Sequence, residues 1–309
     1  MPCDETSGTG DKNSLHQTTL CQTDRDASCL AISGASHLFM PGIIQPNARL
    51  CYPATMKPDS PIASVFIASP NHDARAGDAV DILLLHYTGM ASGIAAQQRL
   101  CAADATVSSH YLVFEDGEII QLVRETRRAY HAGVSSWQGA SDINSRSIGI
   151  EIVNGSHDFG CPDFPSPQID PVIRLCRDIQ LRWPIPQDRV LAHSDVAPER
   201  KRDPGEKFPW RVLHTSGIGL WIEPEPISDG ITLTLGDRSD GIVQLKTALR
   251  EHGYAVDSTD RFDTALQDVV IAFQRHFRPQ HIDGIADLST LRTLDRLLDA
   301  RRNPSSQIA

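Results

Sequence analysis

The sequence lacks what several broad classes of protein require. Its seven cysteines, Cys3, Cys21, Cys29, Cys51, Cys101, Cys161 and Cys176, form no CxxC pair, which excludes a zinc ribbon and a thioredoxin-like redox motif. They are expected to be reduced and non-catalytic, with Cys176 a buried free thiol on an apolar helix face. No stretch approaches the roughly 18 apolar residues of a membrane span, so no membrane insertion is expected. Basic residues are outnumbered, 29 Lys and Arg against 39 Asp and Glu, and the formal net charge is −10. Binding a polyanion needs a basic face, so no nucleic-acid partner is expected. The N-terminal stretch has no basic start followed by an apolar run, and the expected location is the cytoplasm.

What is present is enough for a domain of ordinary size and a smaller one: 309 residues, 40% of them hydrophobic and 22% charged. Residues 1–57 are polar and unpatterned and read as a disordered extension. Regular pattern begins near Pro58. Asp81 to Thr88 is an apolar run too short for a helix and reads as a buried strand ending at His86. Ser92 to Ala103 reads as helix. His110 to Glu115 and Glu118 to Val123 are strands joined by an Asp116-Gly117 hairpin turn. Ser147 to Val153 is another buried strand, and Arg189 to His193 a short one that again finishes on histidine. Between them, Asp170 as N-cap and Pro171 at the first helical position predict a helix that ends at Trp183-Pro184.

The expected fold is α/β, a mixed central sheet flanked by helices over residues 58–222, with a linker at 223–235 where Pro, Gly and acid collect. Residues 236–300 carry the pattern of a small three-helix module, followed by a tail at 301–309. Ile242, Leu245 and Leu249 line the first helix, which stops at Gly253. Leu266, Val269, Val270, Phe273 and Phe277 line the second, and Leu291, Leu294 and Leu298 the third.

Twelve histidines are too many for all to be ligands, and a lone one at a strand end is usually a hydrogen-bonded rim residue. His86 and His193 differ because both follow apolar strand runs and would project from one rim of the sheet. Asp203 follows in a loop that Pro204-Gly205 turns sharply, so it can return to that rim. Two imidazoles and a carboxylate leave one tetrahedral position open, the pattern of a catalytic zinc site. Glu151, inside Gly149-Ile150-Glu151-Ile152-Val153, reads either as a solvent-facing acid on an alternating strand or as a general base with a raised pKa. Lys201 reads either as a solvated charge in a basic run or as a partner for a developing oxyanion.

Several of these stretches resemble one family. They are Leu85-His86-Tyr87-Thr88, Ser109 to Val113, Arg128 to Gly133, Asn144 to Glu151, and His193-Ser194-Asp195 through Lys201-Arg202-Asp203-Pro204-Gly205. From about Ser60 to Trp221 the chain resembles the zinc-dependent N-acetylmuramoyl-L-alanine amidases of type 2, the AmpD-like family that shares its fold with peptidoglycan recognition proteins. One departure is Tyr130, where many members carry tryptophan before His-Ala-Gly.

The resemblance implies that His86, His193 and Asp203 bind Zn2+ and that Glu151 and Lys201 are catalytic. The implied reaction is cleavage of the amide between muramic acid, or its anhydro form, and L-alanine of the stem peptide, in wall turnover or recycling. Tyr87 and the loop carrying His131 and Trp137 are candidate substrate contacts, with structural packing the other reading of Trp137. The C-terminal helices resemble a peptidoglycan-binding module through Gly241 to Lys246, Ala272-Phe273-Gln274 and Ile282-Asp283-Gly284. Peptidoglycan or a muropeptide is therefore the expected partner. Two alternatives stand beside the enzyme of turnover: a recognition protein that binds muropeptide without cutting it, which would lack a ligand, and an exported lytic effector.

Overall fold

The computed structural model describes residues 56–77 and 79–303. The expected disordered extension, apart from its last two positions, and the end of the tail lie outside the described residues. A six-stranded sheet occupies the centre. Its spatial order is β1 (Val65–Phe66), β5 (Ile119–Gln121), β4 (Tyr111–Val113), β7 (Ser147–Ile152), β3 (Ile82–Tyr87) and β8 (Val190–Ala192). β4, β7, β3 and β8 run parallel, while β5 meets β4 as an antiparallel hairpin and β1 lies parallel to β5. Two antiparallel ribbons flank it: β2 (His72–Ala74) with β6 (Arg127–Ala129), and β9 (Thr232–Leu233) with β10 (Ala286–Asp287). The mixed sheet with helical flanks is the expected class.

Alternation along the strands assigns each residue to a face. Leu83 and Leu85 of β3 and Ile148, Ile150 and Ile152 of β7 point into one core. The long helix α3 (Ser166–Arg182) closes that core with Ile169, Val172, Cys176 and Ile179. α3 begins before the expected Asp170. Pro165 is its N-cap, Pro167 sits in the first turn where no amide donor is needed, and Pro171 lies inside the helix. Cys176 is fully buried there, and burial pushes its thiol up to about 12, as an inert core cysteine should be.

The opposite face is divided between two covers. Leu112, Ile120 and Leu122 pack against Ala96 and Leu100 of α1 (Gly93–Cys101), a helix capped by the Ser92 hydroxyl on the Ala95 amide. Ile82, Leu84 and Leu191 pack into the C-terminal helices. Short helices α2 (Ile143–Arg146) and α4 (His193–Val196) adjoin the start of β7 and the end of β8, and α5 (Trp210–Thr215) follows α4 in the chain.

The C-terminal helices are α6 (Asp240–His252), α7 (Thr264–Phe277) and α8 (Leu288–Arg302), close to their expected limits. Asp263 caps α7 through the Leu266 amide and Asp287 caps α8 through the Thr290 amide. Their apolar stripes share one continuous core with the sheet, so the module is the second helical layer of that sheet. Trp137 belongs to this junction. It is 1% exposed, and its ring meets His252 at 5.3 Å and Tyr254 at 5.1 Å. Gly253 lies under the indole, where an added Cβ would stand 2.4 Å from it. That glycine also has φ +147, so it ends α6 and makes room for the indole. Packing, the second of the two readings of Trp137, is what the structure shows, and the expectation of a substrate contact is corrected.

Arg75 carried no signal in the sequence, yet it ties the sheet edge together. Its guanidinium donates to the carbonyls of Glu125, Asn144, Ser145 and Ser147 at 2.8–3.1 Å. Three of these belong to the end of α2 and the start of β7, where carbonyls have no helical donor. Burial lowers its pKa to about 10, still charged at neutral pH. Replacing it orphans several carbonyls at once. Arg75→Met should lower the unfolding free energy by about 3 kcal/mol, read from denaturant midpoints at unchanged m.

Candidate metal centre

Register alone assembles the first part of the site. β3 lies between β7 and β8, both parallel to it, with His86 opposite Glu151 and Leu85 opposite Ala192. The residue after Ala192 is His193, so His193, His86 and Glu151 arrive side by side at the same end of the sheet. His193 is the first residue of α4 rather than the last of its strand. Asp203 returns to this edge because its carbonyl accepts the Ser194 amide at 3.0 Å, and the Lys201 amide donates to Ala197.

His86 Nδ1, His193 Nδ1 and Asp203 Oδ2 are mutually 2.9 Å apart. All three residues are buried, at 1%, 2% and 6% exposure. The hydrogen-bond network assigns the imidazole protons. His193 Nε2 donates to the Ala132 carbonyl at 3.0 Å. His86 Nε2 donates to His131 Nδ1 at 3.1 Å, His131 Nε2 to Ser147 Oγ at 3.4 Å, and Ser147 Oγ to the Ile143 carbonyl at 2.6 Å. Both Nδ1 atoms therefore turn lone pairs toward the carboxylate oxygen. Three acceptors meeting without a proton is a cation site, and these residues fit a metal ion.

Charge states agree. Burial, with His193 beside it, lowers His86 to about 4, so it is neutral at physiological pH. Burial alone would raise Asp203, but positive charge and hydrogen-bond donation at the His193 and His86 positions more than reverse this and hold it well below the usual carboxylate range; with both Nδ1 atoms unprotonated, that part passes to a bound cation. Neutral imidazole and ionised carboxylate are the states a metal needs.

Glu151 lines the same cavity of about 380 Å³, together with Lys201, Tyr87, His131 and Arg99. Its Oε2 is buried with no hydrogen-bond partner among the described residues. Burial raises it well above the ordinary carboxylate range; Asp203 adds to this and Lys201 opposes it. Of the two sequence readings of Glu151, the structure shows an acid aimed into the cavity, not one facing bulk solvent.

The expected substrate contacts divide. Tyr87 lines the cavity, and its hydroxyl meets His157 Nδ1 at 3.0 Å. His157 Nε2 in turn meets Glu206 at 3.0 Å. His157 and Glu206 were invisible in the sequence, because polar loop residues carry no periodic signal. His131 touches the cavity, but both of its ring nitrogens are engaged by His86 and Ser147. Trp137 does not line it. His157, Cys161 and Glu206 also place potential ligand atoms within 4.8 Å of one another. There, Arg275 already stands 3.5 Å from Glu206 and supplies the positive charge.

A buried group of two histidines and an aspartate that could hold a metal ion, with an acid and a lysine at the same open cavity, is an arrangement that suits a hydrolase. The profile of the family described as N-acetylmuramoyl-L-alanine amidase matches residues 76–206, and that of a peptidoglycan binding domain matches 238–294. The chain is 36% identical over 234 residues to N-acetylmuramoyl-L-alanine amidase AmiD of Escherichia coli (strain K12), covering 71% of this chain and 83% of the relative. The chain belongs to the N-acetylmuramoyl-L-alanine amidase family.

Two solved structures are similar over most of the chain. A complex of AmiD from E. coli with anhydro-N-acetylmuramic acid-L-Ala-D-gamma-Glu-L-Lys superposes with a TM-score of 0.62 at 35% identity, covering 74% of this chain and 92% of that one. AmpDh3 from Pseudomonas aeruginosa in complex with an anhydromuramic pentapeptide gives 0.60 at 32% identity, covering 73% and 93%. The chain is also 41% identical to 1,6-anhydro-N-acetylmuramyl-L-alanine amidase AmpD of Escherichia coli (strain K12), over 36% of this chain and 60% of that relative.

Gly149 sits beneath His131, and an added Cβ would lie 2.6 Å from the ring. Gly149→Ala must displace His131 and break its bond with His86. Metal affinity should fall by about tenfold, measured by chelator competition on the folded protein.

Proposed function

We propose that this enzyme is a zinc-dependent amidase that hydrolyses the amide between N-acetylmuramic acid, or its 1,6-anhydro form, and L-alanine of the stem peptide. The observation that carries this reading is the register match that sets Glu151 beside His86, with His193 and Asp203 completing a ligand set suited to zinc. The anhydro-muropeptides held by the two solved relatives support this substrate class. Peptidoglycan or its soluble fragments are then the partner, and the C-terminal module's family match supports a wall-derived ligand.

Bound by His86, His193 and Asp203, zinc supplies Lewis acidity toward the scissile carbonyl and acidifies water. The remaining work falls to the chain. Glu151, raised by burial, accepts the proton of the attacking water and returns it to the departing amine of L-alanine. Lys201 places its ammonium where negative charge grows on the carbonyl oxygen. His131 and the Ala132 carbonyl keep the two imidazoles in the tautomer that directs Nδ1 at the metal.

The test is mass spectrometry of purified protein incubated with intact sacculi and with soluble anhydro-muropeptide, with and without a zinc chelator. Chelator-sensitive release of free stem peptide is expected. Glu151→Gln should cost about 10²–10⁴-fold in kcat while metal content stays at the wild-type level. Binding without release from either substrate, with zinc present, would instead identify a recognition protein.

Lys201 also sets the pH profile. It is the cation that lowers Glu151, and a general base works only when ionised. Removing the ammonium raises the Glu151 pKa further, so the acid limb of kcat/KM moves to higher pH. Lys201→Ala should show that shift together with a kcat about 10²-fold lower, read from steady-state rates across pH.

A further inference from the structure

The C-terminal module touches the metal centre through one buried carboxylate. Asp195 is 1% exposed and lies on α4, the single helical turn that begins with the ligand His193. Its Oδ2 accepts the Ala192 amide at 2.8 Å, the reach-back bond that closes the start of the helix. The module supplies the other two donors. Tyr254 donates its hydroxyl to Oδ1 at 2.9 Å, and His276 Nδ1 donates to Oδ2 at 2.7 Å. His276 is held in turn, its ring stacked on Trp210 at 3.9 Å and on Phe277 at 4.0 Å.

A second path reaches the other side of the same ligand. Ala132, whose carbonyl takes the His193 Nε2 proton, shares a loop with Trp137. That loop is pinned by the module where Trp137 packs on His252 and Tyr254 and the Gln138 amide donates to the Gly253 carbonyl at 2.8 Å. His193 is thus gripped on its backbone side through Asp195 and on its ring side through Ala132. Both grips end in the module.

We propose that the C-terminal module is a structural component of the metal site, with His276 and Tyr254 as positioning residues that act on His193 through Asp195. The proposal rests on His86, His193 and Asp203 being the zinc ligands. It assigns the module a role that does not depend on its binding peptidoglycan. A carboxylate desolvated at this depth needs its donors. When one is removed, Asp195 must seek another, and the turn bearing His193 moves with it.

The experiment uses the full chain, with zinc Kd measured by chelator competition and thermal stability measured alongside. The variants are His276→Leu and Tyr254→Phe, which each delete one donor, and His276→Asn, whose amide N–H stands near the place of Nδ1–H. The first two should weaken zinc binding by about tenfold or more, and His276→Asn should stay near wild type. If His276→Leu lowers stability but leaves the zinc Kd unchanged, the contact is packing alone and the proposal falls. It falls equally if His276→Asn loses as much affinity as His276→Leu. A wild-type chain that binds no zinc would overturn the metal assignment itself, a result separable from either.

Discussion

The site depends on the parallel pairing of β3 with a strand on each side. Parallel strands end at the same edge, and their register admits no slip of one residue without turning every side chain to the other face. Here the register sets His86 opposite Glu151 and one residue beyond the Leu85–Ala192 pair. Three side chains of the candidate site are delivered by a backbone ladder rather than by their own contacts. The apolar residues that enforce that ladder, Leu83 and Leu85 on one face and Ile82 and Leu84 on the other, are all at most 1% exposed.

Those two faces are covered unequally. α3 closes one of them with an unbroken apolar stripe. The second is shared between α1 and the C-terminal helices, and the cavity opens beside α1, with Ala96, Arg99 and Leu100 in its wall. Sequence pattern presents the module as a separate domain behind a linker. The structure makes it part of the sheet's own core, tied further by the Arg301–Asp188 ion pair at 2.7 Å. An interface built from a continuous apolar cluster and buried hydrogen bonds does not behave as a flexible tether.

Local electrostatics run against the overall charge. The net charge is −10, yet the cavity wall sets Arg99, Arg200, Lys201 and Arg202 against the acids Glu151, Asp158 and Asp203. Fields in a cleft are set by the groups lining its low-dielectric walls, and distant surface acids are screened. Within that setting, two carboxylates part ways. Asp203, facing two imidazoles, is held ionised, whereas Glu151, with a buried oxygen lacking a partner among the described residues and Asp203 nearby, is pushed toward its neutral form. One environment suits a metal ligand, and the other gives a carboxylate of raised proton affinity.

Elements with short-range patterns were legible in the sequence: the apolar runs ending at His86 and His193, the Asp116-Gly117 hairpin, the helical stripes of the module, and the donor types that suit zinc. Periodicity reports which residues seek burial, and strand-end histidines stand out against it. What burial lies against was not legible, because that is decided between residues far apart in the chain. Trp137 announced a large aromatic beside a glycine-bearing loop, but only the packing of α6 and α7 decided that Tyr254 and His252, rather than a ligand, would meet it. Asp170-Pro171 looked like a helix start, while the helix began earlier because Pro167 fits its first turn equally well. Arg75, the Ser147–His131–His86 chain and the clamp on Asp195 have no local signature. Each is a buried polar group whose partners come from distant strands and helices, and only the folded chain brings those donors and acceptors within reach.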